Sequence, residues 1–278
     1  MAIKEYMELM RVKNCLSASI GTIIAGLIAS NFDINLLPSI LIAALVVFLI
    51  CGYGNVINDI FDIEIDKINK PYRPLPSNRI SLKNAKLFSF LLLIMGLLLS
   101  LFNKVCFLIA LINSVVLYVY AKRYKKNKII GNLLVAYLTG SVFLFGGAAV
   151  NNMLITLILF LCALFATWSR EIIKDFEDME GDIKEGVVSL PIKYGIKSPY
   201  IAGILLIIAI LLSPLPYIMG IFGLFYLYSI FLCDIMFIYS FIGLLKNPSK
   251  ENAERVSKEI KLIMNFILIS FVMGALLK

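Results

Sequence analysis

Histidine is absent from this sequence of 278 residues. Its absence removes the side chain most often used as a general base near neutral pH, and also a ligand that transition metals favour. Five cysteines occur singly in apolar segments without a CxxC spacing, so neither disulfides nor thiolate metal sites are expected. If the protein binds a metal, carboxylates are the natural ligands, and they favour a hard cation such as Mg²⁺.

Charged residues are also scarce. They make up 16% of the chain, whereas a soluble domain has about 25%. Hydrophobic residues make up 60%, and the mean hydropathy is +0.92. This composition predicts a polytopic membrane protein. Glu5 and Glu8 interrupt the N-terminal segment, and no small-residue cleavage site follows the first apolar stretch, so we expect no cleaved signal peptide.

Nine apolar stretches are long enough, at about 17 to 25 residues, to cross a bilayer as helices. The predicted spans are 14–31, 36–58, 84–103, 105–121, 129–150, 152–172, 199–218, 220–244 and 261–277. Very short turns separate the third span from the fourth and the fifth from the sixth, as in antiparallel neighbours of a bundle. The expected fold is therefore all-α, a bundle of nine transmembrane helices in a single domain covering residues 1–278.

The basic residues orient these spans. Of 26 Lys and Arg residues, 24 lie before the first span, in the loops that follow even-numbered spans, or at the span ends that border these loops. The positive-inside rule then predicts a cell-membrane protein with a cytoplasmic N-terminus and an external C-terminus. The net charge of +8 reflects this bias and attraction to anionic lipid head groups, to which we also assign the basic run at 122–128. No nucleic-acid partner is expected.

Acidic residues form two clusters on the same predicted side. They lie in NDIFDIEID at 58–66 and in REIIKDFEDMEGD at 170–182. Asp59, Asp62, Glu64 and Asp66 map onto Asp175, Asp178, Glu180 and Asp182 with one constant offset of 116 residues. A Leu-Pro dipeptide follows each cluster at a similar distance. These matches predict an internal repeat, with two related halves and two functional loops at 58–83 and 170–197.

The spacing of the acids indicates a metal site. If each helix continues past its apolar stretch, acids four residues apart share one face of the helix and repel each other. A divalent cation would neutralise them, and Mg²⁺ fits because it joins one or two carboxylates to phosphate oxygens. Two such ions could surround one diphosphate. The alternative is that the acids are solvated helix ends. The candidate metal ligands are Asn58, Asp59, Asp62, Asp66, Asp175, Asp178 and Asp182.

Several motifs resemble those of a known family. NDIFDIEID is similar to NDxxDxxxD, and KDFEDMEGD at 174–182 is similar to the second DxxDxxxD motif, of the UbiA superfamily of intramembrane prenyltransferases. YVYAKRYKK contains the family's YxxxK, and a GN motif opens the fifth span. The resemblance covers essentially the whole chain, and it implies an Mg²⁺-dependent prenyltransferase in which Asp62, Asp66, Asp178 and Asp182 are catalytic.

Within the superfamily, the chain most resembles the archaeal ether-lipid subgroup. The segment ELMRVKNC is similar to the subgroup's ELxRPxNC opening, except that Val12 replaces the usual proline. The resemblance implies transfer of a geranylgeranyl group from geranylgeranyl diphosphate to the hydroxyl of geranylgeranylglyceryl phosphate, with release of diphosphate. The expected partners are a polyprenyl diphosphate donor, a lipid phosphate acceptor and membrane lipid.

Further side chains are candidates for binding the two substrates. Cations next to the metal would offset charge on the departing diphosphate. An aromatic ring could stabilise a carbocation, although Tyr118 could equally pack at the membrane interface. Arg11 could serve topology and Asn132 helix packing instead. The substrate-binding candidates are Arg73, Lys122, Lys174 and Tyr118 for the diphosphate or cation, Arg11 and Asn14 for the acceptor phosphate, and Asn132 as pocket lining.

Other functions stay open on the residues alone. A quinone, haem or chlorophyll-type prenyltransferase would use the same metal site with a different acceptor. A cation-coupled transporter also uses paired acidic motifs, but its sites tend to lie at the bilayer midplane. A CDP-alcohol phosphotransferase would need a DGxxAR element, which the sequence lacks. Asp234, a lone acid inside a predicted span, lies away from both motifs and is left outside the site.

Overall fold

The computed structural model describes residues 2–277, and helices dominate them. The α-helices are α1 Ala2–Leu9, α2 Val12–Ala29, α3 Leu37–Phe61, α4 Ile63–Asn69, α5 Leu82–Ser100, α6 Lys104–Val119, α7 Lys128–Ala149, α8 Leu154–Glu177, α9 Met179–Lys184, α10 Leu190–Tyr194, α11 Ser198–Leu212, α12 Leu215–Ile218, α13 Leu224–Lys246 and α14 Lys250–Leu276. Two 3₁₀ turns, at Ile34–Leu36 and Gly195–Lys197, and a π-helical turn at Tyr120–Tyr124 complete the regular structure.

Nine helical segments among residues 2–277 are long and apolar enough to cross a membrane. This confirms the predicted all-α fold with nine spans, and the chain is a multi-pass membrane protein. The last helix differs from its prediction, because α14 begins at Lys250 rather than at residue 261. Its first turns are amphipathic, with Ala253, Val256 and Ile260 fully buried on one face. Because the other face carries charged residues, the search for apolar stretches did not detect this part of the helix.

Polar side chains define where several helices begin. Ser81 accepts a hydrogen bond from the Asn84 N–H at the start of α5, and Ser249 accepts one from Asn252 at the start of α14. Asn103 accepts from two N–H groups at the start of α6. These contacts satisfy helix-end donors that have no partner within their own helix.

Contacts divide the chain into two compact units. The first contains residues 2–125 and 141–153. In it α3 packs against α2, α5 and α6, and its core includes Val46, Ile50 and Phe145. Gly146 lets the backbones approach closely, since a Cβ there would lie 2.5 Å from the Thr22 carbonyl oxygen on α2. The C-terminal end of α3, which carries the first acidic motif, is thereby held by this core.

The second unit contains residues 126–140 and 154–277. Here α8 packs against α11 and α14, and α13 packs against α14. Ile172, Phe237 and Ile260 are almost fully buried in its core. Ile172 belongs to the last turns of α8, so the second acidic motif also follows a well-packed helix. That the chain forms a single domain stays a prediction.

Helix boundaries repeat with the spacing of the acidic motifs. Val12 begins α2 and Lys128 begins α7, Phe61 ends α3 and Glu177 ends α8, and α4 and α9 begin at Ile63 and Met179. Each pair is separated by the same 116 residues that separate the acids. The internal repeat predicted from four acids therefore extends to the helices that carry them.

Candidate active site

Each acidic motif contains a one-residue interruption between two helices. Asp62, with φ −90° and ψ 0°, separates α3 from α4, and Asp178, with φ −89° and ψ 0°, separates α8 from α9. The expected uninterrupted helix is therefore broken in both motifs. Hydrogen bonds with helical spacing still join each interrupting aspartate to the helix that follows it. The Asp66 N–H donates to the Asp62 carbonyl at 2.8 Å, and the Asp182 N–H donates to the Asp178 carbonyl at 3.1 Å.

Three aspartates of the first motif are buried. Asp59, Asp62 and Asp66 expose only 4%, 3% and 5% of their surface. A buried carboxylate needs a charged or hydrogen-bonding partner, and arginines supply it here. Arg73 Nη1 lies 3.3 Å from Asp59 Oδ1 and 2.5 Å from Asp66 Oδ2, and Arg11 also pairs with Asp59. The predicted residues Arg11, Arg73, Asp59 and Asp66 therefore form one charge cluster.

Asp62 has a separate set of partners. The Asn58 amide donates to its Oδ2 at 3.1 Å, and the Lys125 ammonium pairs with the same oxygen. Asn58 Oδ1 is itself buried and has no hydrogen-bond partner among the described residues. A buried oxygen without a partner beside a carboxylate is suited to a cation.

Arg11 occupies an unusual backbone conformation. Its φ of 54° and ψ of 60° lie in the left-handed region, which is uncommon for a bulky residue. The residue joins α1 to α2, and its side chain pairs with Asp59. Strained residues persist where the surrounding structure fixes them, and they are frequent at functional sites. Asn14, on the next turn, is exposed, and within residues 2–277 no hydrogen bond or ion pair joins its side chain to the motif.

The second motif combines two buried aspartates with an exposed one. Asp175 and Asp182 expose 3% and 8% of their surface, whereas Asp178 is exposed. Lys128 Nζ lies 2.9 Å from Asp175 Oδ1 and 2.7 Å from Asp182 Oδ2. The Asn132 amide donates to Asp175 Oδ2 at 2.7 Å. Burial of five of the six motif aspartates argues against solvated helix ends. Asp178, Glu64 and Glu180 are exposed.

The tyrosine and the lysine of the YxxxK motif contact each other. Lys122 Nζ lies 5.5 Å from the centre of the Tyr118 ring, a cation–π contact. Tyr118 also packs edge-on against Phe61, with ring centres 5.7 Å apart, directly before Asp62 in the chain. Lys174 is exposed, and in the described part of the chain no ion pair joins it to an aspartate of its motif. Tyr118 therefore lies next to the first motif, while Lys122 and Lys174 do not contact the aspartates.

Sequence reasoning missed two lysines. The basic run at 122–128 was assigned to lipid head groups, yet Lys125 and Lys128 pair with buried aspartates. The repeat could have pointed to Lys128. The offset of 116 residues maps Arg11 onto Asn127, and Lys128 is the next residue in the chain. A cation at the start of the helix that precedes each motif helix contacts the first aspartate of that motif.

A surface ion pair holds the segment that carries Arg73. Arg79 donates to both carboxylate oxygens of Glu8, at 2.7 and 2.9 Å, and to the Tyr72 carbonyl at 2.5 Å. The hydrogen bond from Arg79 lowers the pKa of Glu8 below its usual value. The segment is thereby tied to α1, which restricts the positions that Arg73 can reach.

The residues of both motifs suit Mg²⁺ in their donor chemistry. No three acidic side chains within residues 2–277 form a closed cluster for a metal. Mg²⁺ does not need one, because it commonly binds one or two carboxylates and completes its coordination with water and phosphate oxygens. Buried carboxylates and the unpartnered Asn58 oxygen provide such an open set of hard ligands. The residues present therefore fit the ion that the sequence predicted.

Comparison with known proteins defines the class. Residues 19–269 match the model of the UbiA prenyltransferase family. The chain belongs to this family, and it is a membrane prenyltransferase.

Its relatives narrow the assignment further. It is 67% identical over 275 residues to a digeranylgeranylglyceryl phosphate synthase of Methanococcus aeolicus, with 99% of both chains covered. It is also similar to a solved structure described as "Structural and mechanistic insights into the biosynthesis of Digeranylgeranylglyceryl phosphate synthase in membranes", with 61% identity, a TM-score of 0.94 and 98% of each chain covered. A UbiA homologue from Archaeoglobus fulgidus, bound to DMAPP and Mg²⁺, shares the fold at 18% identity and a TM-score of 0.64, with 96% of this chain and 99% of that chain covered.

Proposed function

We propose that this enzyme transfers a geranylgeranyl group from geranylgeranyl diphosphate to the hydroxyl of geranylgeranylglyceryl phosphate, and that it depends on Mg²⁺. The observation that carries the proposal is 67% identity over essentially the whole chain to a protein named for this product. The arrangement of buried carboxylates and cations supports the diphosphate chemistry independently of that name.

The metal ligands proposed are Asn58, Asp59, Asp62, Asp66, Asp175, Asp178 and Asp182. Bound Mg²⁺ would neutralise charge on the leaving diphosphate and so promote cleavage of the allylic C–O bond. Asn58 offers a neutral oxygen, and every aspartate of the set except the exposed Asp178 offers a carboxylate that is already largely desolvated. A desolvated carboxylate interacts more strongly with a cation than an exposed one. Among these groups Asp62, Asp66, Asp178 and Asp182 are the proposed catalytic residues.

The substrates are bound by cations and polar groups around the motifs. Arg73 offers a guanidinium to diphosphate oxygens, and the exposed Lys122 and Lys174 can reach a phosphate in solvent. Tyr118, beside Phe61, offers a ring face to the developing allylic cation. Arg11 and Asn14, at the start of α2, are proposed for the acceptor's phosphate. Asn132 holds Asp175 in place and so contributes by positioning a metal ligand.

We also propose that the N-terminus and both motif loops are cytoplasmic and that the C-terminus is external. The support is the concentration of Lys and Arg in these loops. A Ser77→Cys variant should be labelled by an impermeant thiol reagent only from the cytoplasmic side, because Ser77 is exposed in the loop after the first motif. Lys104→Cys, exposed on the other side by this topology, is the matched position, and the reverse pattern would refute the orientation.

The acceptor decides between the proposal and an aromatic prenyltransferase. The purified enzyme in lipid would receive labelled geranylgeranyl diphosphate, Mg²⁺ and an equal mixture of geranylgeranylglyceryl phosphate and 4-hydroxybenzoate. Label should enter the glycerol phosphate ether and should disappear when the metal is chelated. Label in 4-hydroxybenzoate instead would overturn the acceptor assignment. Membership in a prenyltransferase family leaves the transporter alternative without support.

A further inference from the structure

Lys128 bridges the two ends of the second acidic motif. Its ammonium nitrogen lies 2.9 Å from Asp175 Oδ1 and 2.7 Å from Asp182 Oδ2. Both distances are typical of hydrogen bonds between charged groups. Both carboxylates are buried, and each forms an ion pair with this lysine. One cation therefore serves the first and the last aspartate of the motif.

The backbone holds this lysine firmly. Lys128 N–H donates to the Val188 carbonyl at 2.8 Å, and Val188 N–H donates to the Lys126 carbonyl at 2.9 Å. Asn127 and Val188 form a parallel β-bridge between these hydrogen bonds. Lys128 is also the first residue of α7, an end where the helix macrodipole disfavours a cation. Its position is therefore explained by the acids it contacts rather than by the helix that it begins.

Arg73 bridges the first and last aspartates of the first motif, as Lys128 does in the second motif. Its Nη1 contacts Asp59 at 3.3 Å and Asp66 at 2.5 Å, and these are the repeat equivalents of Asp175 and Asp182. Arg73 follows its motif in the chain, whereas Lys128 precedes its own motif by many residues. By the repeat offset, Lys128 corresponds to Val12 and Arg73 to Ser189. The two cations therefore hold equivalent contacts without being equivalent in sequence.

We propose that Lys128 is the diphosphate-binding cation of the second motif. Asp175 and Asp182 are proposed metal ligands, and a carboxylate oxygen bound to Mg²⁺ offers less charge to an ammonium group. With the metal on these carboxylates, the Lys128 ammonium would be available to pair with diphosphate oxygens instead. The lysine hinders binding of a metal alone and favours binding of a metal together with diphosphate. This inference rests on the proposed function, in which the second motif binds Mg²⁺.

Binding of Mn²⁺, measured by electron paramagnetic resonance on the full-length protein in detergent, separates these two effects. Each protein is titrated with Mn²⁺ alone and then with Mn²⁺ plus inorganic pyrophosphate. The variants are Lys128→Gln, which removes the charge, and Lys128→Arg, which keeps it. Lys126→Gln is the matched control, since it removes one charge from an exposed side chain two residues away. Thermal unfolding of each variant reports whether it is folded.

Lys128→Gln should bind Mn²⁺ alone about tenfold more tightly and should bind pyrophosphate with Mn²⁺ about tenfold more weakly, the scale of one hydrogen bond between charged groups. Lys126→Gln should resemble the wild type in both titrations. Unchanged binding in Lys128→Gln, or weaker binding in both titrations, would overturn the inference, because the second pattern indicates a structural counter-ion. If Lys128→Gln does not fold, loss of pyrophosphate binding in folded Lys128→Arg would overturn it.

The two proposals fail in different ways. If the wild type binds no pyrophosphate in the presence of Mn²⁺, the proposed function is wrong and the role of Lys128 falls with it. If the wild type binds both and Lys128→Gln matches it, only the role of Lys128 is wrong.

Discussion

Arg73 Nη1 lies 2.5 Å from Asp66 Oδ2, and both side chains are largely buried in the first acidic motif. The same nitrogen reaches Asp59, so one guanidinium serves two carboxylates that lie seven residues apart in the chain. Arginine is suited to this contact because it stays charged in partly buried sites. The motif therefore includes its own counter-charge, which we propose also binds the diphosphate.

Removal of that charge should weaken donor binding. Arg73→Gln should raise KM for geranylgeranyl diphosphate by about tenfold or more, because a hydrogen bond between charged groups is lost. Steady-state kinetics at saturating acceptor measure the effect. Lys70→Gln removes one charge from an exposed side chain of the same segment and should leave KM within about twofold, as surface substitutions usually have small effects. An equal rise in both variants would assign the effect to net charge alone.

Substitution of Asn132 tests whether this residue positions Asp175 or only lines the pocket. Its amide donates to Asp175 Oδ2, and both residues are buried. Asn132→Ala would leave that oxygen without a donor, which should lower the free energy of unfolding by about 1 to 3 kcal/mol. Metal affinity should fall with it, because Asp175 is then less well oriented. Denaturation in detergent and Mn²⁺ titration check the two effects, and a variant with unchanged metal affinity would reduce Asn132 to a packing residue.

Asp234 should contribute to stability and not to catalysis. The Ser213 hydroxyl donates to Asp234 Oδ2 at 2.8 Å, and the Tyr226 hydroxyl donates to the Ser213 carbonyl at 2.5 Å. This network joins the end of α11 to α13, away from both acidic motifs in sequence. Asp234→Ala should lower the free energy of unfolding by about 1 to 3 kcal/mol, while the specific activity of folded protein stays unchanged. A folded Asp234→Ala variant without activity would place Asp234 in the reaction.

Much of the fold follows from apolar length, and much of the proposed metal site follows from the spacing of the acids. The prediction placed a span near every membrane helix, because lipid requires a continuous helix of sufficient length. It missed the first turns of α14, where charged residues cover one face of a packed helix. It also missed the interruptions at Asp62 and Asp178, since no proline or glycine marks either position.

The ion pairs were the least predictable part of the site. Arg73 could be proposed because it follows the first motif closely, and the structure places it on Asp59 and Asp66. Lys128 could not be proposed, because 54 residues separate it from Asp182. It also lies in a basic run that we interpreted as facing lipid head groups. Which cation reaches which carboxylate depends on tertiary packing, whereas which residues can bind a metal depends only on their chemistry.

Release of pyrophosphate from geranylgeranyl diphosphate, with Mg²⁺ and acceptor present, tests the central claim most directly. Asp62→Asn and Asp178→Asn each remove one carboxylate from a different motif, and Glu64→Gln and Glu180→Gln remove exposed carboxylates from the same segments. Each Asp variant should lose at least about a hundredfold in rate, because charge on the leaving group is no longer neutralised. Each Glu variant should keep near wild-type rate. Wild-type rates in a folded Asp62→Asn or Asp178→Asn variant would contradict the proposed role of that motif in the reaction.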